Sequence, residues 1–428
     1  MADGYFPIWR LKDAGIVAPD ERLSWPQTLT LGVQHVVAMF GATVLAPLLM
    51  GFDPNVAILM SGVGTLLFFV ITGGRVPSYL GSSFAFIGVV IAATAYAGHG
   101  LNPNIAVALG GIVACGAFYA LIGLAVMAGG TRWIERLMPP VVTGAVVAVI
   151  GLNLAPIAVR NANASTFDGV MTLVTILCVG GIAVFARGSW QRLPILLGLV
   201  LAYLIHVGVA NGLGFGKPVD FDPVVAAAWL GAPRFTAPVF TFEAITLIAP
   251  VAIILVAENL GHLKAVSAMT ARNLDPLLGR AFVGDGVATM LSGMVGGTGV
   301  TTYAENIGVM AVTRIFSTLV FVVAAVVALL LGFSPKFGAL IATTPSPVLA
   351  GVSIVVFGLI AIAGARIWVQ NQVDFADNRN LIVAAVTLVL GAGDFSLRFG
   401  QFTLGGIGTA TFGAIILNAA LARARKDD

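Results

Sequence analysis

Apolar residues run in long blocks along almost the whole chain, and polar residues gather in the short gaps between them. Most blocks approach or exceed the ~20 residues a helix needs to cross a bilayer. They predict an all-α polytopic membrane protein with spans near 27–49, 54–72, 84–97, 103–129, 139–158, 166–186, 193–213, 242–263, 280–296, 303–314, 316–333, 345–363, 380–392 and 401–421. Three of these fourteen are short, those starting near 84, 303 and 380. The first two of the three follow a break rich in Gly, Ser and Thr.

Composition agrees with the pattern. Of 428 residues, 58% are hydrophobic and 10% charged, where a soluble domain carries about 25% charged residues. A net charge of +3 is too small to suggest nucleic acid. Cys115 and Cys178 sit inside apolar runs and read as small core residues. No metal-ligand spacing occurs, and no cofactor is implied. Residues 1–24 show no signal-peptide pattern, so the first helix is expected to be retained.

Charge orients the spans. With the N-terminus in the cytoplasm, seventeen of the 22 lysines and arginines fall on the inner side, including Arg192, Arg425 and Lys426. Arg160, Lys217, Arg234, Lys336 and Arg398 fall outside. Basic residues favour the cytoplasmic side, so this sorting supports both the number and the orientation of spans.

The longest connection, 214–241, follows the seventh span and holds four prolines. It divides the chain into a cytoplasmic tail (1–26), a seven-span repeat (27–213), an extracytoplasmic connection (214–241), a second seven-span repeat (242–421) and a second cytoplasmic tail (422–428). An odd number of spans per half inverts the second half relative to the first. The third span of each half is one of the broken ones. "VPSYLGSSFAFIGVV" (76–90) and "GTGVTTYAENIGVMA" (297–311) each read as an extended lead-in followed by a short half-helix. Glycines also serve plain helix packing, but interrupted segments at matching positions point to a transporter's binding site.

Glu258 and Glu305 are the clear acids inside apolar spans; Asp285 is expected near the cytoplasmic end of the ninth, within reach of water. A mid-membrane charge costs about 2.5–3.5 kcal/mol on insertion scales, so such residues are candidates for function. His262 follows Glu258 by four residues and shares its helical face. The pair could share one proton, as a proton-coupled carrier needs, or form a static ion pair. Glu305 opens a short helix whose free N–H groups favour anionic or carbonyl groups. Two acceptors and two sets of donors suit a small planar ligand with alternating N–H and C=O groups, such as a nucleobase. Phe84 and Tyr303 are placed to cover its ring faces. His35, beside Gln34, either holds a helix contact or joins a polar network. His206 reads as a packed or interface histidine.

These residues resemble the nucleobase–ascorbate transporter family (nucleobase:cation symporter-2), in its uracil-permease branch, over nearly the whole chain. The resemblance is carried by "QHVVAMFGATVLAPLL" (34–49), "VPSYLGSSFAFIG" (76–88), "VAENLGH" (256–262) and "TTYAENIGVMAVTR" (301–314). "GIVAPDERL" (15–23) and residues 262–286 resemble more narrowly the pyrimidine permeases of the bacterial pyrimidine-utilisation pathway.

The resemblance implies proton-coupled uptake of uracil across the inner membrane. It implies a core domain (spans 1–4 and 8–11), a gate domain (5–7 and 12–14) and a homodimer formed through the gate. It implies uracil binding by Glu258, Glu305 and the backbone at Phe84 and Ala304, and proton coupling through His262. Asn306, Ser82, Ser83, Gln34 and His35 are expected to support the site. Ala304 stands where a uracil permease has glycine. The xanthine-preferring branch carries Gln at the position of Glu305, which favours a pyrimidine here. A purine carrier and an anion transporter of related architecture remain alternatives. An enzyme is disfavoured, since no paired nucleophile and base appears.

Overall fold

The computed structural model describes residues 4–12, 15–96, 100–162, 164–187, 193–400 and 402–424. Residues 1–3 and 425–428 of the expected tails lie outside the described residues, as do Arg192 and positions 97 and 401 at the edges of two expected spans.

The chain opens with two short strands paired in parallel, β1 (Arg10–Leu11) and β2 (Glu21–Arg22). Helices α1 (Trp25–Met50) and α2 (Pro54–Ile71) follow. Asp53 starts α2 by accepting the Asn55 N–H at 2.8 Å, the usual work of an N-cap. Strand β3 (Leu80–Ser82), a 3₁₀ turn (Phe84–Phe86) and the eight-residue α3 (Ile87–Thr94) come next. Then come α4 (Ile105–Gly129), α5 (Arg132–Leu137), α6 (Pro140–Ala162), α7 (Thr166–Phe185) and α8 (Pro194–Val207). The long connection holds α9 (Asp222–Ala226). The second half contains α10 (Phe242–Ile248), α11 (Val251–Thr270), α12 (Leu278–Val295), β4 (Val300–Thr302) and the ten-residue α13 (Ala304–Thr313). It ends with α14 (Thr318–Gly332), α15 (Pro335–Ala342), α16 (Ser346–Gln370), α17 (Asn378–Ala392), the hairpin β5 (Leu397–Phe399) and β6 (Phe402–Leu404), and α18 (Gly406–Ala424).

Among the described residues, eight helices are long and apolar enough to cross a membrane, or up to nine if α14 and α15, bent by 82°, form one span. The fourteen expected spans exceed this number for a physical reason. The helices at Phe84–Thr94, Asn378–Ala392 and α13 are short, and α12 carries Arg280 and Asp285. Packing falls into two sets. In one, α12 lies against α4 and α2, and α14 against α1 and α2; in the other, α16 lies against α6 and α7, and α17 against α18 and α6.

The two extended lead-ins meet each other. β3 and β4 pair antiparallel, Leu80 opposite Thr302, Gly81 opposite Thr301 and Ser82 opposite Val300. The ladder continues at both ends: the Tyr303 N–H bonds the Tyr79 carbonyl at 3.0 Å and the Ser83 N–H the Gly299 carbonyl at 2.9 Å. All six strand residues are buried, so their outer edges need partners too. Thr65 of α2 accepts the Leu80 N–H at 2.9 Å and lies 3.5 Å from the Leu80 carbonyl. Thr289 of α12 accepts the Val300 N–H at 3.1 Å and donates to the Val300 carbonyl at 3.0 Å. One threonine hydroxyl thus closes each edge in the same way.

Glycines let rings lie against this ribbon. A Cβ at Gly81 would sit 2.4 Å from the Tyr303 ring, and one at Gly299 would sit 2.2 Å from the Phe86 ring. Alanine at either site therefore forces a buried ring to shift, at about 1–3 kcal/mol for overpacking. We expect Gly81→Ala and Gly299→Ala to lower thermal stability in detergent clearly. Gly180→Ala, where a Cβ meets nothing within 4 Å, should leave it unchanged. Equal melting of all three variants would contradict this packing.

Candidate functional site

The strand crossing decides where the candidate residues lie. Because β3 and β4 run antiparallel and each leads into a short helix, the starts of both helices are carried by one ribbon. Ser83 accepts the Ala85 N–H at 3.3 Å and so starts the 3₁₀ turn that leads into α3. Tyr303 precedes α13 in extended conformation, and Glu305 lies in its first turn. Ala304 is exposed and Glu305 half-buried, with Gly308 exposed one turn further on.

Glu258 comes from α11, which packs against α13 and β4. Glu305 lies in the first turn of that α13. The Glu258 Oε2 is buried and has no hydrogen-bond partner among the described residues. Phe84 is 8% exposed, and its ring meets Phe357 of α16 edge-on, centroids 6.0 Å apart. Phe84 and Phe357 thus join the two sets of helices.

Two expectations change. Tyr303 does not present its ring as a cover. It is 3% exposed, donates its hydroxyl to the Ser82 carbonyl at 2.8 Å and accepts from Thr43 at 3.1 Å. The space over Gly81 takes the ring across β3, so Tyr303 braces the ribbon. Asp285 is not within reach of water. It is 0% exposed, because the middle of α12 is enclosed by α4 and α2.

His262 shares a face with Glu258, yet among the described residues no ion pair joins them. Its Nδ1 instead lies 2.8 Å from the Thr302 hydroxyl of β4. Thr302 is also bonded to Asn259 Oδ1 at 3.4 Å. Asn259 Nδ2 donates to the Tyr119 hydroxyl at 2.9 Å and to Asp285. A buried polar chain thus runs from His262 through Thr302 and Asn259 to Asp285, whose Oδ1 has no partner among the described residues. Sequence reasoning missed Asn259 and Thr302 as members. Both lay inside the quoted motifs, but an uncharged side chain next to a carboxylate carries no signal of its own.

His35 belongs to a polar link. Asn306 Nδ2 lies 3.0 Å from both His35 Nδ1 and the His35 carbonyl, tying α13 to α1. Asn306 Oδ1 and Gln34 Nε2 are buried and have no partner among the described residues. Ser82 accepts from Thr298 at 2.7 Å and donates to the Thr43 carbonyl at 3.3 Å, which makes it part of the ribbon's bracing. His206 is buried against Phe167, away from these groups on α8.

The sequence pattern that defines the Permease family matches residues 26–398. The chain belongs to this family. It is therefore a multi-pass membrane permease and not an enzyme. It is 70% identical over 427 residues to the putative pyrimidine permease RutG of Escherichia coli (strain K12), covering 99% of this chain and 97% of that protein. It is 42% identical over 410 residues to the uracil permease of Bacillus caldolyticus, covering 92% of each. The permease also shares the fold of the transmembrane domain of a cyanobacterium bicarbonate transporter, BicA. There the TM-score is 0.64 at 17% identity, over 92% of this chain and 96% of that one.

Thr302 is the junction of the polar chain, so its loss strands His262 Nδ1 and Asn259 Oδ1 together. Leaving buried polar groups unpaired costs about 1–3 kcal/mol each. Thr302→Val should lower the permease's unfolding free energy by that order, and Thr302→Ser should restore most of it. The check is denaturation of both variants in one detergent. A valine variant as stable as the serine variant would remove Thr302 from this role.

Proposed function

We propose that the permease takes up uracil or a related pyrimidine nucleobase together with a proton, by alternating access across the inner membrane. The observation that carries this reading is the buried Oε2 of Glu258, without a hydrogen-bond partner among the described residues, on the α11 that packs against α13 with Glu305 in its first turn. Pyrimidine and uracil permeases among its relatives support the cargo. A pyrimidine offers N–H groups to such acceptors and C=O groups to the free N–H groups at helix starts. In this reading Glu258 and Glu305 accept from the base, backbone at Phe84 and Ala304 holds it, and Phe84 covers one ring face. His262 exchanges the proton.

The same reading takes the chain as fourteen membrane segments in a seven-plus-seven inverted repeat, with both termini cytoplasmic. The matching roles of Thr65 and Thr289, and of β3 and β4, support the repeat. The two packing sets are then core and gate, and the gate forms a homodimer. A bicarbonate transporter has the same fold, which raises an anion as the second reading. Two neighbouring carboxylates oppose an anionic cargo unless protonated. Competition by unlabelled xanthine and bicarbonate against labelled uracil, in cells lacking their own permeases, separates the readings. Uracil uptake indifferent to excess thymine but blocked by xanthine would favour a purine carrier.

Glu305→Gln removes a charged acceptor whose hydrogen bond is worth about 1.5–3 kcal/mol. Uracil affinity should fall by roughly tenfold to over a hundredfold. Binding to the purified variant within twofold of wild type would reject that role.

Proton coupling follows if substrate and proton each alter the other's affinity by the same factor. His262→Leu should retain part of the binding but lose accumulation against a gradient, and an uncoupler should abolish wild-type accumulation. A His262→Leu permease that still concentrates uracil, with uptake still rising as external pH falls, would refute the role of His262.

A further inference from the structure

Residues 4–12 and 15–23 form a band against the helices. Its second part threads beside the turn between α13 and α14. Val17, 0% exposed, forms an isolated parallel bridge with Ile315. The Val17 N–H bonds the Arg314 carbonyl at 3.0 Å, and the Phe316 N–H bonds the Val17 carbonyl at 2.8 Å. The Pro19 carbonyl accepts from both the N–H and the hydroxyl of Thr318, at 3.1 and 3.0 Å. Trp9 Nε1 donates to the same hydroxyl at 3.0 Å.

The band is itself braced. β1 and β2 pair within it, and Glu21 accepts the Ala18 N–H at 2.8 Å and the Lys12 ammonium at 2.9 Å. These bonds hold the Glu21 carboxyl below its usual range. Asp20 pairs with Arg272, in the turn after α11. Earlier in the band, Phe6 and Trp9 stack on Phe69 of α2, and the Tyr5 ring lies under Arg280 of α12. Each of these partners belongs to α2, the end of α11, α12, the α13–α14 turn or the start of α14. The band is therefore fastened to the helices around the candidate site and would move with them.

Its grip on α13 is specific. This helix has ten residues, too few to be stable without tertiary contacts. The β3–β4 ribbon holds its start. Its end turns through Arg314 in left-handed conformation, φ 58°, which a non-glycine residue keeps only under constraint. The Val17 N–H bonds the carbonyl of that residue. We propose that residues 15–23 are a positioning strap that pins the far end of α13 and so fixes where Glu305 stands. The effect on substrate affinity rests on the proposed uracil transport; the effect on α13 does not.

Val17→Pro removes the donor N–H, while Val17→Ala keeps it. Hydrogen exchange of residues 307–313 should speed up by about tenfold in the proline variant, the equilibrium equivalent of one net hydrogen bond. Exchange in α16 should not change, and Val17→Ala, which keeps the N–H but loses buried methyl groups, should speed exchange less than Val17→Pro. Arg314→Gly, which adopts the left-handed turn freely, should return part of the lost protection in Val17→Pro. Where wild type binds uracil, Val17→Pro should also weaken binding severalfold.

Unchanged exchange at 307–313 overturns the strap. Faster exchange with unchanged uracil affinity overturns its positioning of Glu305. If wild type binds no uracil, the functional reading fails and exchange alone decides the strap. Should Val17→Pro fail to fold, the Trp9→Phe, Asp20→Asn double variant gives the milder test. It should show a smaller but measurable rise in exchange at 307–313, and no rise there rejects the strap.

Discussion

Two strands of three residues each cross among the helices, and their backbone groups have no solvent to turn to. In a membrane protein, extended backbone at depth must find every hydrogen bond inside the protein. β3 and β4 supply each other's inner edges. A two-stranded ribbon is marginal even in water, and here each strand still has an open outer edge. Thr65 and Thr289 close those edges because a hydroxyl both accepts and donates. Leucine at either threonine would leave a buried N–H and C=O unpaired. The crossing therefore constrains α2 and α12 as much as its own strands, and both half-helices inherit their positions from it.

From that constraint the chemistry of the candidate site follows. A helix that begins at the end of a buried strand starts with free N–H groups deep in the protein. Side chains on neighbouring helices then face a region that already holds donors. Among the described residues, Glu258, Asp285 and Asn306 each keep one buried oxygen without a partner, and leaving such an oxygen unpaired costs about 1–3 kcal/mol.

Much of this was legible in the sequence, for reasons that differ by residue. The helices were legible because apolar runs are long, and the two lead-ins because Gly, Ser and Thr interrupt those runs at matching places. Glu258 and Glu305 stood out because charges are rare in such segments. The pairing of β3 with β4 was not legible, since residues 80–82 and 300–302 are far apart in sequence and three-residue strands have no usable period. Tyr303 misled because an aromatic at a helix mouth and one lying over Gly81 look alike in sequence. Asp285 misled because position along a helix says nothing about which neighbours surround it. The packing of the tail before Trp25 was not legible, because its bonds to Arg314, Phe316 and Thr318 are mostly backbone bonds, which side-chain patterns do not encode.

The two half-helices are similar in build but not in charge. Counted from the last residue of each strand, Phe84 occupies the place of Ala304, and Ala85 the place of Glu305. No acid lies in the first turn of α3 or of the 3₁₀ turn before it, whereas α13 has Glu305 there. A ligand between two equal helix starts would meet equal donors and could bind in either of two orientations. One carboxylate on one side breaks that equivalence: the α13 side can accept an N–H, while the α3 side offers backbone donors and the face of Phe84. In the proposed site Glu258, on the α11 that packs against α13, would add a second acceptor on the same side and widen the difference. A planar ligand with donors along one edge and an acceptor on another would thus be held in one orientation. The asymmetry comes from side chains that the matching backbone on the two sides does not dictate.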